Sequence, residues 1–265
     1  MTCAIPQRSE TRSGAAYVAK GAGEPLVLVH GVGLRLDAWA AQIEGLSATH
    51  RVIALDMPGH GGSASLPRDA QLPDFVAWLA QVFDDLGLER ANLAGHSMGA
   101  LITGGMVAEH PDRLDRVALL CGVHRRTAEA AAAVRARAEA LRNGERDSAG
   151  PLARGFGEDR TNPAYLLVRE WLDAVDGDGY ATAYTAFATG DATYADIWPE
   201  VVQPALFLTG ALDANSTPAM AHRMAAAAPR GRAVVIEGHG HMAPMTAPTA
   251  VNDALRTWLT AEAPR

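Results

Sequence analysis

The stretch Ala91-Asn92-Leu93-Ala94-Gly95-His96-Ser97-Met98-Gly99-Ala100-Leu101-Ile102 decides the fold. Its centre, Gly95-His96-Ser97-Met98-Gly99, has the spacing G-x-S-x-G, a pattern short enough to arise by chance. The setting carries it. The apolar run Ala91–Ala94 precedes it and the helical run Met98–Ile102 follows, so the serine falls on a strand–turn–helix junction. Such a turn is strained, and strand and helix pass so closely that the neighbouring residues must be small. Gly95, Gly99 and Ala100 give that clearance. The turn exposes the Ser97 hydroxyl as a candidate nucleophile. It also points the Met98 N–H, at a helix start, toward charge developing on an oxyanion. The competing reading makes Ser97 only an N-cap; the flanking glycines and the preceding strand favour the nucleophile.

Working outward, short apolar runs recur at Leu26–His30, Val52–Asp56, Val117–Cys121, Ala205–Thr209 and Ala233–Glu237, with Ala15–Lys20 as an edge candidate. Runs of this length separated by helical patterns read as buried strands of a mostly parallel sheet. The helices between them are Asp37–Leu46, Leu72–Leu86, Met98–Glu109, Pro218–Ala227 and Thr249–Thr260. This alternation predicts an α/β sheet covered on both faces. It is interrupted between about Gly122 and Val202, where Thr127–Arg142, Asn162–Ala174 and Tyr180–Ala188 read as helices and no strand pattern occurs. The expected organisation is a core of residues 1–122 and 203–265, with 123–202 inserted as a helical cap. The charges of the Ala-rich segment read mainly as a solvated helix face.

A serine hydroxyl needs a general base at neutral pH. His241 is the candidate, because Gly238-His239-Gly240-His241 follows the last strand-like run and precedes the C-terminal helix. His239 is its nearest rival, whereas His30, His60 and His96 flank glycine turns and read as loop packing or support. Asp213, just past Leu206–Gly210, is the candidate acid that orients the histidine. Asp191 and Asp196 are weaker candidates, and the bland reading of Asp213 is a turn aspartate before a helix start. The order Ser97, Asp213, His241 favours catalysis. His30-Gly31-Val32-Gly33 follows a strand and would aim the Val32 N–H at the same oxyanion as Met98.

Bulk properties narrow the function classes. A chain of 265 residues with 48% hydrophobic content suits one large α/β domain with an insertion. The net charge of −7, with no cluster of Lys and Arg, argues against nucleic acid. No window approaches the roughly 18 apolar residues of a membrane span, and Met1–Gly14 does not read as a secretory signal. The two cysteines, Cys3 and Cys121, make no disulfide framework, so a cytoplasmic location is expected. The expected partner is a small-molecule substrate, with no metal and no cofactor; a homodimer is left open.

These residues resemble the α/β-hydrolase family over nearly the whole chain. Asp56-Met57-Pro58-Gly59-His60-Gly61-Gly62-Ser63 looks like that family's D-x-x-G-x-G-x-S loop, and Asp213 before Pro218 and Gly240-His241 before Pro248 fit its late pattern. Within the family the chain is similar to the 3-oxoadipate enol-lactonase group and its catabolic relatives, which include enzymes acting on amidomethylene-succinates. The resemblance implies hydrolysis of a small ester, lactone or amide through an acyl-enzyme. Serine rather than aspartate in the elbow disfavours dehalogenase and epoxide hydrolase chemistry. A carbon–carbon bond hydrolase or lyase on the same residues is the enzymatic alternative, although such relatives often carry Asn where this chain has His96. A ligand-binding receptor that keeps the fold is the alternative of another class.

His124-Arg125-Arg126 lies where the chain leaves the sheet for the cap. Arg125 or Arg126 is therefore expected to bind a substrate carboxylate, with solvated arginines as the equal alternative. Trp39, Met57, Tyr165, Trp171, Phe187 and Trp198 fit either a pocket wall or ordinary packing, and none is assigned to the site.

Overall fold

The computed structural model describes residues 6–263. Cys3 lies outside them. Eight strands form one sheet: β1 (Ser9–Glu10), β2 (Ala16–Lys20), β3 (Pro25–Val29), β4 (Arg51–Leu55), β5 (Ala91–His96), β6 (Leu114–Leu120), β7 (Ala205–Gly210) and β8 (Gly231–Ile236). Their order across the sheet is β1-β2-β4-β3-β5-β6-β7-β8. The first two strands pair antiparallel and the rest parallel.

Alternation along the strands builds two apolar layers. Val27, Val29, Ile53, Leu55, Leu93, Val117 and Phe207 face helices α2 (Leu72–Asp85), α3 (Met98–Glu109) and α8 (Pro218–Ala227). Leu26, Leu28, Val52, Ala54, Ala94, Ala118, Leu206 and Leu208 face α1 (Ala40–Leu46) and α10 (Pro248–Leu259). Because successive side chains point to opposite faces, a strand buried on both sides reads as a continuous apolar run. That is why these strands are visible in the sequence.

Strand β3 lies between β4 and β5, so sheet growth reverses there. The connections leaving β3 and β5 at their carboxyl ends diverge to opposite faces and open a crevice, the usual ligand position in such sheets. The His30–Gly33 turn follows β3 and Ser97 follows β5, so both border this crevice.

Between β6 and β7 the chain forms α4 (Ala128–Arg142), α5 (Ala149–Phe156), α6 (Pro163–Ala174) and α7 (Gly177–Gly190). The sequence reading has three helices here. It misses α5, whose Gly150, Pro151 and Gly155 obscure the pattern; Pro151 sits in the first turn, where its missing N–H costs little. Helix α7 starts earlier than Tyr180 because the Asp176 side chain accepts the Gly179 N–H at 2.7 Å as an N-cap. The insertion is fastened by a third apolar cluster, in which Leu141, Leu152, Val168, Trp171 and Tyr184 meet Leu34, Ala38 and Met242 of the loops at the sheet's carboxyl edge. The chain also makes a short α9 (Ala243–Thr246) after His241. Among the described residues no helix is long and apolar enough to cross a membrane.

Candidate active site

Ser97 adopts φ 55° and ψ −110°, a backbone conformation that ordinary residues avoid, between the end of β5 and the start of α3. Two glycines make this junction possible. A Cβ on Gly95 would lie 2.0 Å from the Gly99 carbonyl oxygen, and one on Gly99 would lie 2.1 Å from that of Val29. The Ser97 N–H donates to the Leu120 carbonyl at 2.9 Å, which ties the elbow to β6.

His241 comes in from the far edge of the sheet. The Ser97 hydroxyl donates to its Nε2 at 3.0 Å, and its Nδ1–H donates to Asp213 Oδ2 at 2.7 Å. The other carboxylate oxygen, Oδ1, accepts the backbone N–H groups of Asn215 and Ser216, each at 2.9 Å. Burial alone would push the Asp213 carboxyl up; the His241 charge and those N–H groups outweigh it and hold the group below its ordinary range. His239 is not part of this relay, because its Nδ1 bonds the Thr246 hydroxyl at 2.9 Å.

Two residues expected to supply oxyanion donors lie next to the serine or on its cavity. Met98 is the first residue of α3, where a helix N–H has no carbonyl partner within the helix. Val32 sits in the turn after β3 and lines the same cavity as Ser97. Buried histidines brace that turn. His30 accepts the Met57 N–H at 2.9 Å through Nε2 and donates from Nδ1 to the Gly31 carbonyl at 2.8 Å. The Gly33 N–H donates to His60 Nε2 at 3.0 Å. Burial lowers the pKa of both rings, so they serve as neutral props. His96, beside the serine, donates from Nε2 to the His241 carbonyl at 2.8 Å; burial, then the neighbouring His241, pushes its pKa down to about 3. Beneath the relay, burial and Asp213 push the Cys121 thiol up, which leaves it unreactive.

The relay opens into a cavity of about 330 Å³ under α4 and α7. Its wall includes Arg126, Arg137, Arg154, Tyr180, Tyr184 and Phe187. Arg125 is not brought there. Its backbone turns through φ 49° and its guanidinium pairs with Asp196 at the surface, so the structure corrects the expectation for that residue. Arg126 turns inward, and its side chain is only 4% exposed. Arg137 and Arg154 lie outside the sequence reading. The signal for Arg137 was present in the spacing Ala130, Ala133, Val134, Arg137, one face of a helix.

Comparison with known proteins identifies the family to which this fold belongs. The sequence profile of the alpha/beta hydrolase fold matches residues 24–248. The chain belongs to the α/β-hydrolase family. Among the relatives of this α/β hydrolase is the (E)-2-((N-methylformamido)methylene)succinate hydrolase of Acinetobacter baylyi, 50% identical over 254 residues, which are 96% of each chain. A thermophilic esterase from Thermogutta terrifontis, solved with malate bound, superposes with a TM-score of 0.86 at 30% identity, covering 96% of this chain and 98% of the other. The enol-lactonase of Burkholderia xenovorans LB400 has a TM-score of 0.79 at 26% identity, covering 96% and 100%.

Proposed function

We propose that this α/β hydrolase cleaves a small, carboxylate-bearing amide, ester or lactone through an acyl-enzyme on Ser97. The observation that carries the reading is the continuous relay from Ser97 through His241 to Asp213, at 3.0 and 2.7 Å, opening into the arginine-lined cavity. Ser97 Oγ bonds to the acyl carbon while its proton passes to His241 Nε2. The carbonyl oxygen becomes an oxyanion held by the N–H groups of Val32 and Met98, a contribution of about 3–4 kcal/mol per donor in comparable sites. Collapse breaks the bond to nitrogen or oxygen, and the leaving group takes the proton from His241. Water then attacks the acyl-enzyme and gives a proton to His241; the bond from the acyl carbon to Ser97 Oγ breaks, Oγ takes that proton back from His241, and the acid leaves. Asp213 keeps the His241 proton on Nδ1 throughout and stabilises the imidazolium.

The bond type is supported by the relatives. Their names describe an amide on a succinate skeleton, an ester and an enol-lactone, all acyl carbons bonded to nitrogen or oxygen. We favour the amidomethylene-succinate class, given the 50% identity along almost the whole of both chains. In this reading residues 123–202 act as the cap that selects substrate. A cytoplasmic location belongs to the proposal, supported by the buried, unpaired Cys121.

The test is Ser97→Ala. We expect wild-type protein to show an acyl burst with a p-nitrophenyl ester and to be labelled by a fluorophosphonate, and the variant to lose both. Full esterase activity in the variant would overturn the assignment.

A further inference from the structure

The chain carries a net charge of −7, yet the residues lining the cavity over Ser97 include three arginines and neither Asp nor Glu. Two of the arginines are paired with Asp191 and Asp147 behind the wall, so the three arginines and two aspartates leave one net positive charge there, which favours an anion. Helix α4 organises this wall. Ala130, Ala133 and Val134 give it a small, apolar face, with Arg126 just before its start and Arg137 in its second half. The cationic groups thus flank a slot rather than crowd one point.

Two of these arginines are held but incompletely used. Arg126 is clamped by Asp191, whose carboxylate lies 3.0 Å from Nη1 and also accepts the Arg126 backbone N–H at 2.7 Å. The Phe187 ring stacks 4.3 Å from the guanidinium carbon. With its side chain 4% exposed, Arg126 keeps a buried Nη2 with no hydrogen-bond partner. Arg137 is fixed to Asp147, by Nη1 to the carboxylate at 3.1 Å and by Nη2 to the carbonyl at 2.7 Å. Its Nε is buried without a partner. Arg154 has no carboxylate partner among the described residues. A buried charged donor without an acceptor is costly, and native proteins complete such a donor with a ligand, an ion or a water. Here two such donors belong to rigidly anchored guanidinium groups on the wall of one cavity.

We propose that Arg126 forms one carboxylate subsite and Arg137, with Arg154, a second, so that the cavity selects acyl substrates carrying two carboxylates over those carrying one. This rests on the acyl-transfer reading and the succinate class favoured above, and adds the residues that read the two carboxylates. Asp191 and Asp147 are positioning residues, because they act through the arginines they hold.

Binding to the catalytically silent Ser97→Ala protein tests the subsites apart from the chemistry. Succinate and butyrate have equal chain length and differ by one carboxylate. Calorimetric titration is expected to show succinate binding at least about thirtyfold more tightly, as the loss of one paired charge implies. Arg137→Gln and the double variant Arg126→Gln/Asp191→Asn should each remove that preference. The double change avoids leaving Asp191 buried without a counter-charge, and Arg137→Lys, which keeps the charge but not Nε, serves if a glutamine variant does not fold. Equal affinities for the two acids, or a preference that survives in either variant, would overturn the proposal. Fluorophosphonate labelling of wild-type protein separates the two readings. Labelling without succinate preference refutes only the subsites, and preference without labelling refutes only the nucleophile.

Discussion

Replacing Asp213 by asparagine tests how the relay works, because the structure dictates which way the new amide must face. Oδ1 of Asp213 accepts two backbone N–H groups, from Asn215 and Ser216, at 2.9 Å each. In the Asp213→Asn variant the amide keeps both bonds only if its carbonyl oxygen takes that position. The reverse orientation sets an NH₂ group against two buried donors. At about 1–3 kcal/mol for each bond lost, it lies about 2–6 kcal/mol higher. With about 1.4 kcal/mol per factor of ten, it is populated to no more than about 4%. The amide nitrogen therefore faces His241 Nδ1, where the carboxylate now accepts a bond of 2.7 Å. A donor there forces the His241 proton onto Nε2, 3.0 Å from Ser97 Oγ, and a protonated Nε2 cannot take the serine's proton. We expect kcat/KM to fall about 10⁴-fold, as wrong-tautomer variants of such relays do, or about 5.5 kcal/mol of barrier. The assay is p-nitrophenyl acetate hydrolysis beside the rate of fluorophosphonate labelling, with circular dichroism to verify the fold. A loss smaller than tenfold in folded protein would refute the idea that Asp213 sets the tautomer of His241.

Two further outcomes follow from the elbow. Gly99→Ala places a Cβ 2.1 Å from the Val29 carbonyl oxygen, so strand and helix must separate; urea unfolding should show a loss of about 3 kcal/mol or more, and a loss below about 1 kcal/mol would refute the close-approach account. The second concerns acid. His96 has its folded-state pKa depressed from 6.5 to about 3, so on acidification the unfolded chain takes up the proton first and stability is lost as pH falls across that window. Its share of the slope reaches about 1.4 kcal/mol per pH unit. His96→Asn should flatten the stability curve between pH 6.5 and 4.5 by up to that amount, and curves parallel to wild type would contradict the assignment.

The parts of the molecule that were legible in the sequence share a physical reason. A strand buried on both faces must be apolar throughout, and a strand–helix elbow must contain glycine where a Cβ would strike backbone, as at Gly95 and Gly99. Candidate residues of the relay stand one to five positions beyond strand ends, so locating β5, β7 and β8 locates Ser97, Asp213 and His241. The cavity wall was less legible because its geometry is set at long range. Arg125 and Arg126 are adjacent and chemically identical, yet one is held at the surface by Asp196 and the other is drawn inward by Asp191, partners that follow by 71 and 65 residues. Nothing local to the pair distinguishes them.

That contrast has a consequence for specificity. The relay is assembled from loops at the ends of β5, β7 and β8 on one sheet, and the inserted helices meet it through packing on Met242, Leu34 and Ala38. The anionic preference proposed above would depend on three separable features: the small face of α4, the Asp191 clamp on Arg126, and the Asp147 clamp on Arg137. Removing either clamp frees an arginine to seek solvent, while the distances among Ser97, His241 and Asp213 are set elsewhere. On the proposed reading, substrate charge preference would change with one or two substitutions at Arg126, Arg137 or their carboxylate partners. Change in the bond cleaved requires alteration at the sheet edge, where His96, the elbow glycines and the buried His30 and His60 props constrain one another through backbone contacts. Selection of the acid and cleavage of the bond are thus encoded in different parts of the chain, and only the second is written in short-range sequence.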